Sequence, residues 1–207
     1  MKGEKLMKHR TIKLIITAVA GIVILTGCGG SGEDKLESYA VSGEEVSENE
    51  IQYPHLTRIS LNKDDASLRV YLPDGDSLEK SESKASSSLE GIHVETELIE
   101  DAGASVSILS ESEFNARQAG VSQIPGVQNI TAAVESTGEG FSIRQINYSI
   151  NDGNGNIFPC TVIIKADHIQ STYYLKTVIT IDNSSAGDDS GSILKETLDA
   201  YGIELGQ

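Results

Sequence analysis

The groups of this 207-residue chain able to bear chemistry are few: two cysteines, four histidines and an excess of carboxylates. Cys28 closes an apolar run, Leu14 to Ile24, that follows a leader carrying Lys2, Lys5, Lys8, Arg10 and Lys13. The compact Thr26 and Gly27 just before that thiol let the chain enter a peptidase cleft. His93, Glu95 and Glu97 alternate along the chain, so in an extended segment they share one face, about 7 Å apart. A histidine with two carboxylates suits a divalent cation, but metal ligands usually converge from separate elements and no second histidine stands near. The expectation for these three is an outer, solvated face.

Asp152-Gly153-Asn154-Gly155-Asn156 opens like an EF-hand calcium loop, with Asp152 and Asn154 at alternate positions. It then departs from that pattern, with Ile157 where the loop needs Gly and Ile163 where it needs a bidentate Glu. A tight hairpin turn accounts for the same residues, with a loose calcium site at Asp152 and Asn154 as the alternative. Asp182, Asp188 and Asp189 stand in a Gly/Ser-rich stretch, where neighbouring acids can raise one another's pKa, share a cation, or simply favour the start of a helix. Cys160 lies in Phe158-Pro159-Cys160-Thr161-Val162 and reads as a small apolar residue of a strand. No Gly-x-Ser-x-Gly, His-Glu-x-x-His or phosphate-cradling Gly-Lys-Ser/Thr occurs. The spacing of His55, His93 and His168 suggests no triad. No cofactor is expected from these groups.

The apolar run from Ile12 to Leu25 has 14 residues, short of the roughly 20 that span a bilayer as a helix. A basic flank, short run and small residues before the cut mark a signal segment. Leu25-Thr26-Gly27-Cys28 resembles the lipobox of bacterial lipoprotein signal peptides. The resemblance implies that a peptidase recognises Leu25, Thr26 and Gly27, that the sulfur of Cys28 receives a diacylglyceryl group, and that Cys28 becomes the new N-terminus. Two acyl chains anchor stably where one does not, each buried methylene contributing about 0.8 kcal/mol. The expected organisation is a signal peptide at 1–27, a lipidated, flexible acidic tether at 28–52, and one extracytoplasmic domain at 53–207.

Composition narrows the function classes. The net charge is −15; the leader holds five Lys/Arg and one Asp/Glu, which leaves residues 28–207 near −19. Such a surface repels nucleic acid and anionic lipid alike, so membrane attachment falls to the anchor. With Cys28 acylated no internal disulfide remains. Tryptophan is absent and aromatics are 5%, which argues against an aromatic-lined sugar surface.

The elements that must position these groups follow from periodicity. Gly29 to Gln52 is Gly, Ser and acid and reads as a spacer. Ile59 and Leu61, then Leu68, Val70 and Leu72, alternate as strands closed by Pro73-Asp74-Gly75. Leu78–Leu89, rich in Ser, Lys and Glu, reads as an exposed loop or a weak helix. Ile92, Val94, Thr96 and Leu98 form the apolar face of another strand, and Val106 with Ile108 a further one. Ser110-Glu111-Ser112-Glu113 fits a capping box, placing a short polar helix from Ser110 to Gly120 with Phe114 inward. Strands are expected at Gln128–Glu135, Phe141–Ile150 (with a bulge between Ile143 and Ile146), Ile157–Lys165 and Ser171–Ile181. A closing helix capped by Ser190 or Ser192 carries Ile193, Leu194, Leu198 and Tyr201 on one stripe and ends at Gly202.

This order makes an α+β fold: an antiparallel meander covered by one internal and one C-terminal helix. With Tyr71-Leu72-Pro73-Asp74-Gly75, the meander and the terminal helix, the order resembles the PsbP/Mog1-like fold, whose small bacterial members are often lipoproteins. The functional expectation is a non-catalytic, membrane-anchored module that binds an envelope protein or small ligand, with no nucleic-acid partner. The alternative is a hydrolase or metal-dependent enzyme whose site is assembled across the sheet.

Overall fold

The computed structural model describes residues 53–133 and 136–204. The leader, Cys28 and the acidic spacer lie outside the described residues, as do Val134 and Glu135 at the end of the expected 128–135 strand.

The chain opens with a hairpin of β1 (Leu56–Lys63) and β2 (Ala66–Pro73), then β3 (Glu79–Lys80), β4 (Lys84–Leu89) and β5 (Ile92–Glu100). Helix α1 (Val106–Val121) follows, then β6 (Val127–Ala133), β7 (Thr137–Gly138), β8 (Phe141–Asn151), β9 (Ile157–Gln170) and β10 (Tyr173–Asp182). A 3-10 turn (Asn183–Ser185) leads into α2 (Ser190–Ala200). One antiparallel sheet runs β3-β4-β5-β10-β9-β8-β6, with β7 beside β8, while β1 and β2 pair only with each other. This is the expected α+β class. The meander is present as β8-β9-β10, and β10 inserts beside β5 in the centre.

Both faces of the sheet are covered, by different chemistry. The β1–β2 hairpin and α2 close one face over Leu61, Leu68, Leu72, Val94, Leu98, Leu175 and Ile179, with Ile193 and Tyr201 from the helix side. The α2 end is fastened there by polar contacts as well. The Tyr201 hydroxyl donates to the Tyr71 carbonyl at 2.6 Å, and the buried Lys165 ammonium donates to the Tyr201 carbonyl at 2.7 Å while pairing with Asp167 at 2.9 Å. Helix α1 covers the other face over β8 and β9, where Phe114 and Val121 meet Ile146, Tyr148, Val162, Ile164 and Val178. Toward β10 and β5 this apolar contact gives way to charge.

Several local expectations are corrected. The 78–89 stretch forms β3 and β4 because its alternate residues Ala85 and Ser87 point inward and are buried; small side chains fill that space without an apolar signature. Val106 and Ile108 belong to α1, not a strand. Ser105 is the N-cap, accepting from the Ile108 amide at 3.3 Å, and Ser110 is buried inside the helix, 2.8 Å from Ser142 Oγ. The helix runs past Gly120 to Val121 and its C-cap Ser122. Strand β9 continues through the expected loop 166–170, and the chain reverses at Ser171 with φ +47°. Ile143 and Ile146 do not flank a bulge: β8 pairs with β9 in unbroken register, and the two isoleucines enter cores on opposite faces. The irregularity sits in β6, between Gln128 and Thr131. Neither Ser190 nor Ser192 caps α2, whose N-cap is Asp189.

Candidate functional site

The face of β5 beside α1 carries the three residues singled out above; it is part-exposed, and cations from α1, β4 and β10 meet its carboxylates. His93, Glu95 and Glu97 lie in register with Ser88, Ser86 and Lys84 of β4 and with Thr180, Val178 and Lys176 of β10. From α1, one turn apart, come Glu113 and Arg117. The result is a continuous ladder. Lys84 meets Glu97 at 2.7 Å, and Lys176 meets Glu97 at 3.0 Å and Glu113 at 2.9 Å. Arg117 bonds Glu113 at 2.7 Å and grips both oxygens of Glu95 at 2.8 Å each. Beyond Glu95, His93 Nε2 lies 3.2 Å from its Oε1, and His93 Nδ1 lies 2.6 Å from Ser88 Oγ.

The electrostatics follow from these contacts. The His93 hydrogen bond and the Arg117 fork outweigh burial and hold Glu95 down at about 2. Burial pushes Glu97 and Glu113 upward, but hydrogen bonds from Lys84 and Lys176 to the first, and from Lys176 and Arg117 to the second, leave both below the usual range. Burial likewise opposes the Lys176 charge, and Glu113 with Glu97 overcomes it and raises its pKa. The carboxylates considered as metal ligands are thus neutralised by protein cations, and no cluster of three or more metal-ligating side chains is found among the described residues.

Beside α1 the ladder borders an open groove of about 500 Å3. Its floor is the Glu95, Glu97, Lys176 and Val178 face of the sheet; α1 supplies one wall, and the β3–β4 turn, with Lys80 and Lys84, the other. Four of the ten Lys/Arg beyond residue 52 line it: Lys80, Lys84, Arg117 and Lys176. Glu79, Glu95, Glu97 and Glu113 line it as well, so on a strongly acidic chain the groove is a balanced patch of both signs.

The remaining candidates lie elsewhere. Asp152 sits in the β8–β9 turn, where its carboxylate accepts from the Asn154 and Asn156 amides at 2.7 and 3.2 Å and from Asn156 Nδ2 at 2.7 Å. These bonds lower its pKa, the Asn156 side chain contributing most, and make it the organiser of a hairpin turn. Asp182 caps the 3-10 turn through Ser184 and Ser185, and despite burial those bonds lower its pKa instead of a neighbouring acid raising it. Cys160 is buried in β9 and burial pushes its thiol up, the opposite of an activated nucleophile. His168 bonds the Ser171 carbonyl at 2.9 Å, and His55 bonds Glu196 at 2.8 Å. Sequence spacing suggested no serine–histidine–carboxylate contact. The Ser88–His93 pairing was hidden because it depends on the register of a strand read as loop, and Arg117 and Lys176 carried no local signal.

No family model matches the chain, and no curated protein matches it. Among solved structures it is similar to the Ran-binding protein Mog1p of Saccharomyces cerevisiae, with 7% identity over 70% of this chain and 93% of that one and a TM-score of 0.38. It is also similar to LpqN of Mycobacterium tuberculosis, described as involved in cell envelope biogenesis, with 13% identity over 63% of this chain and 79% of that one and a TM-score of 0.36. A substitution variant of protein Mog1 aligns with 9% identity, 70% and 86% coverage and a TM-score of 0.34. At these scores the likenesses carry no argument about what the chain does.

Proposed function

We propose that the protein is a lipid-anchored extracytoplasmic module that binds a protein partner of mixed charge in the groove beside α1. The observation carrying this reading is the concentration of Lys80, Lys84, Arg117 and Lys176 around one groove of an otherwise acidic molecule. A neutral, charge-patterned groove is the place where a partner approaches with least repulsion and with its register selected by charge. Lys80 stands on the exposed wall, open to an incoming carboxylate, beside an exposed Lys84 that already serves Glu97.

The attachment side supports the same reading. The chain enters the domain on the hairpin and α2 face, where the Tyr53 ring meets Tyr71 edge-on at 5.2 Å and His55 is tied to Glu196. The groove is on the opposite face of the sheet. Entry of the chain at residue 53 therefore leaves the groove unobstructed.

Cross-linking pulldown of the mature protein from its own membranes tests the reading, with wild type compared against Cys28→Ala and the double variant Lys80→Glu/Lys84→Glu. Cys28→Ala is expected to leave the membrane fraction, and the groove variant to remain there but lose a partner that wild type captures. A partner held equally by the groove variant rules the groove out. A Cys28→Ala protein that stays membrane-bound rules the anchor out.

A further inference from the structure

The ladder ends in a feature that a binding groove does not need. Ser88 of β4 and His93 of β5 are directly paired across the strands, and one rung further the same face turns into the groove floor at Ser86 and Glu95. Because a carboxylate only accepts, the 3.2 Å contact with Glu95 places the His93 proton on Nε2. The Nδ1 lone pair is then left to accept from the Ser88 hydroxyl at 2.6 Å. Arg117 fixes Glu95 through both oxygens, so the acid that orients the imidazole is itself held in place. Hydroxyl, base and orienting acid within hydrogen-bond reach, with the acid on the far nitrogen, is the arrangement that activates a serine.

We infer that Ser88 is a nucleophilic hydroxyl with His93 as its general base, reactive toward activated acyl and phosphonyl compounds presented from the groove. In the acyl case Ser88 Oγ bonds to the carbonyl carbon of an aryl ester, its proton passes to His93 Nδ1 and then to the departing phenolate. Water then cleaves the Ser88 ester, releasing the acid and restoring the hydroxyl. The substrate class is narrowed by what surrounds Ser88. Its own amide donates to Ser77 Oγ at 2.7 Å and is not free to hold an oxyanion. Loss of such a donor costs about 100- to 1000-fold in rate, so esters with good leaving groups react and amides do not.

The test is labelling of the full chain with a fluorophosphonate, in which the P–F bond breaks, fluoride leaves and the Ser88 oxygen is phosphonylated. Peptide mass mapping is expected to find one adduct, on Ser88. Ser88→Ala should abolish it and His93→Gln should slow it by about 100-fold or more, the usual worth of a general base. Melting curves check that both variants fold. No adduct, an adduct on another serine, or equal rates in wild type and His93→Gln would overturn the inference, and the first two outcomes need no variant at all. Because the readout is a covalent bond at one residue, it is independent of whether the groove captures a partner.

Discussion

Arg117 and Glu95, 22 residues apart in the chain, face each other through two parallel hydrogen bonds of 2.8 Å. The pair joins the polar side of α1 to the centre of the sheet, where a buried apolar contact would be usual. Arg117 also serves Glu113 on its own helix, so one guanidinium satisfies two half-buried carboxylates. A planar fork can hold both Glu95 oxygens in parallel while still reaching Glu113, whereas the Lys176 ammonium meets Glu97 and Glu113 through one contact each.

Arg117→Met is therefore expected to destabilise the domain by about 1–2 kcal/mol, between the small worth of an exposed pair and the larger cost of stranding a buried charge. Arg117→Lys should recover only part of this. Urea melts of the three proteins decide it: equal midpoints for wild type and Arg117→Met would mean that α1 is held by Phe114 and Val121 alone.

Acid should loosen the same contact. Glu95, Glu97 and Glu113 all have folded pKa values below the ordinary 4.5, Glu95 near 2. Between those values and 4.5 the unfolded chain binds protons that the folded chain refuses, so falling pH favours unfolding. Their contribution is complete above about 4.5 and is lost as pH drops toward 2. Glu100 works in the opposite sense, because the Asp64 carboxylate beside it raises its pKa, but it is a single exposed group. The expected result is a melting temperature that falls from pH 5 to pH 2 in wild type and falls less in Glu95→Gln. Parallel curves for the two proteins would remove Glu95 from the account.

The legible parts of the fold were those with one apolar face. Leu68, Val70 and Leu72 announced β2, and Ile92, Val94 and Leu98 announced β5, because each alternates against polar neighbours. Strand β4 was hidden by the opposite circumstance: its inward residues, Ala85 and Ser87, are small or polar, so burial left no apolar trace. Strand β8 misled for a third reason. Covered on both sides, it places Ile143 in one core and Ile146 in the other, and two sound alternations look like one broken one. Helix α1 began earlier than its capping-box pattern, with β-branched Val106 and Ile108 mimicking a strand. The site suffered most. His93, Glu95 and Glu97 were placed on one face correctly, but whether that face met water or cations depended on Arg117 and Lys176, which only tertiary packing brings near.

His55 offers a second titration with the reverse sign. Its bond to Glu196, with smaller help from the charges of Glu196, Asp189 and Glu90, raises its pKa above the ordinary 6.5. A raised folded value means the contribution is fully present below 6.5 and fades as pH rises through the folded pKa. Imidazole resonances in an NMR titration should place His55 above 6.5 in wild type and bring it back toward 6.5 in Glu196→Gln. An unchanged midpoint in that variant would show that the contact fixing the entry of the chain against α2 is not formed in solution.

Gly75 tests the packing behind Ser88. A Cβ built there would lie 2.0 Å from the Ser88 carbonyl oxygen, a backbone atom that cannot swing aside as a side-chain tip would. The neighbouring Ser77 hydroxyl bridges the same residue, accepting from the Ser88 amide at 2.7 Å and donating to its carbonyl at 3.2 Å. Any shift of the 74–77 turn is thus passed directly to β4 and to the Ser88–His93 contact. Gly75→Ala is expected to cost about 1–3 kcal/mol, the range of overpacked sites. It should also slow phosphonylation of Ser88 even at temperatures where the variant is fully folded. A variant that melts like wild type would show that the turn can retreat from β4. A variant that is destabilised yet labels at the wild-type rate would show that the Ser88–His93 distance is set by β4–β5 pairing alone, without the turn pressing on it.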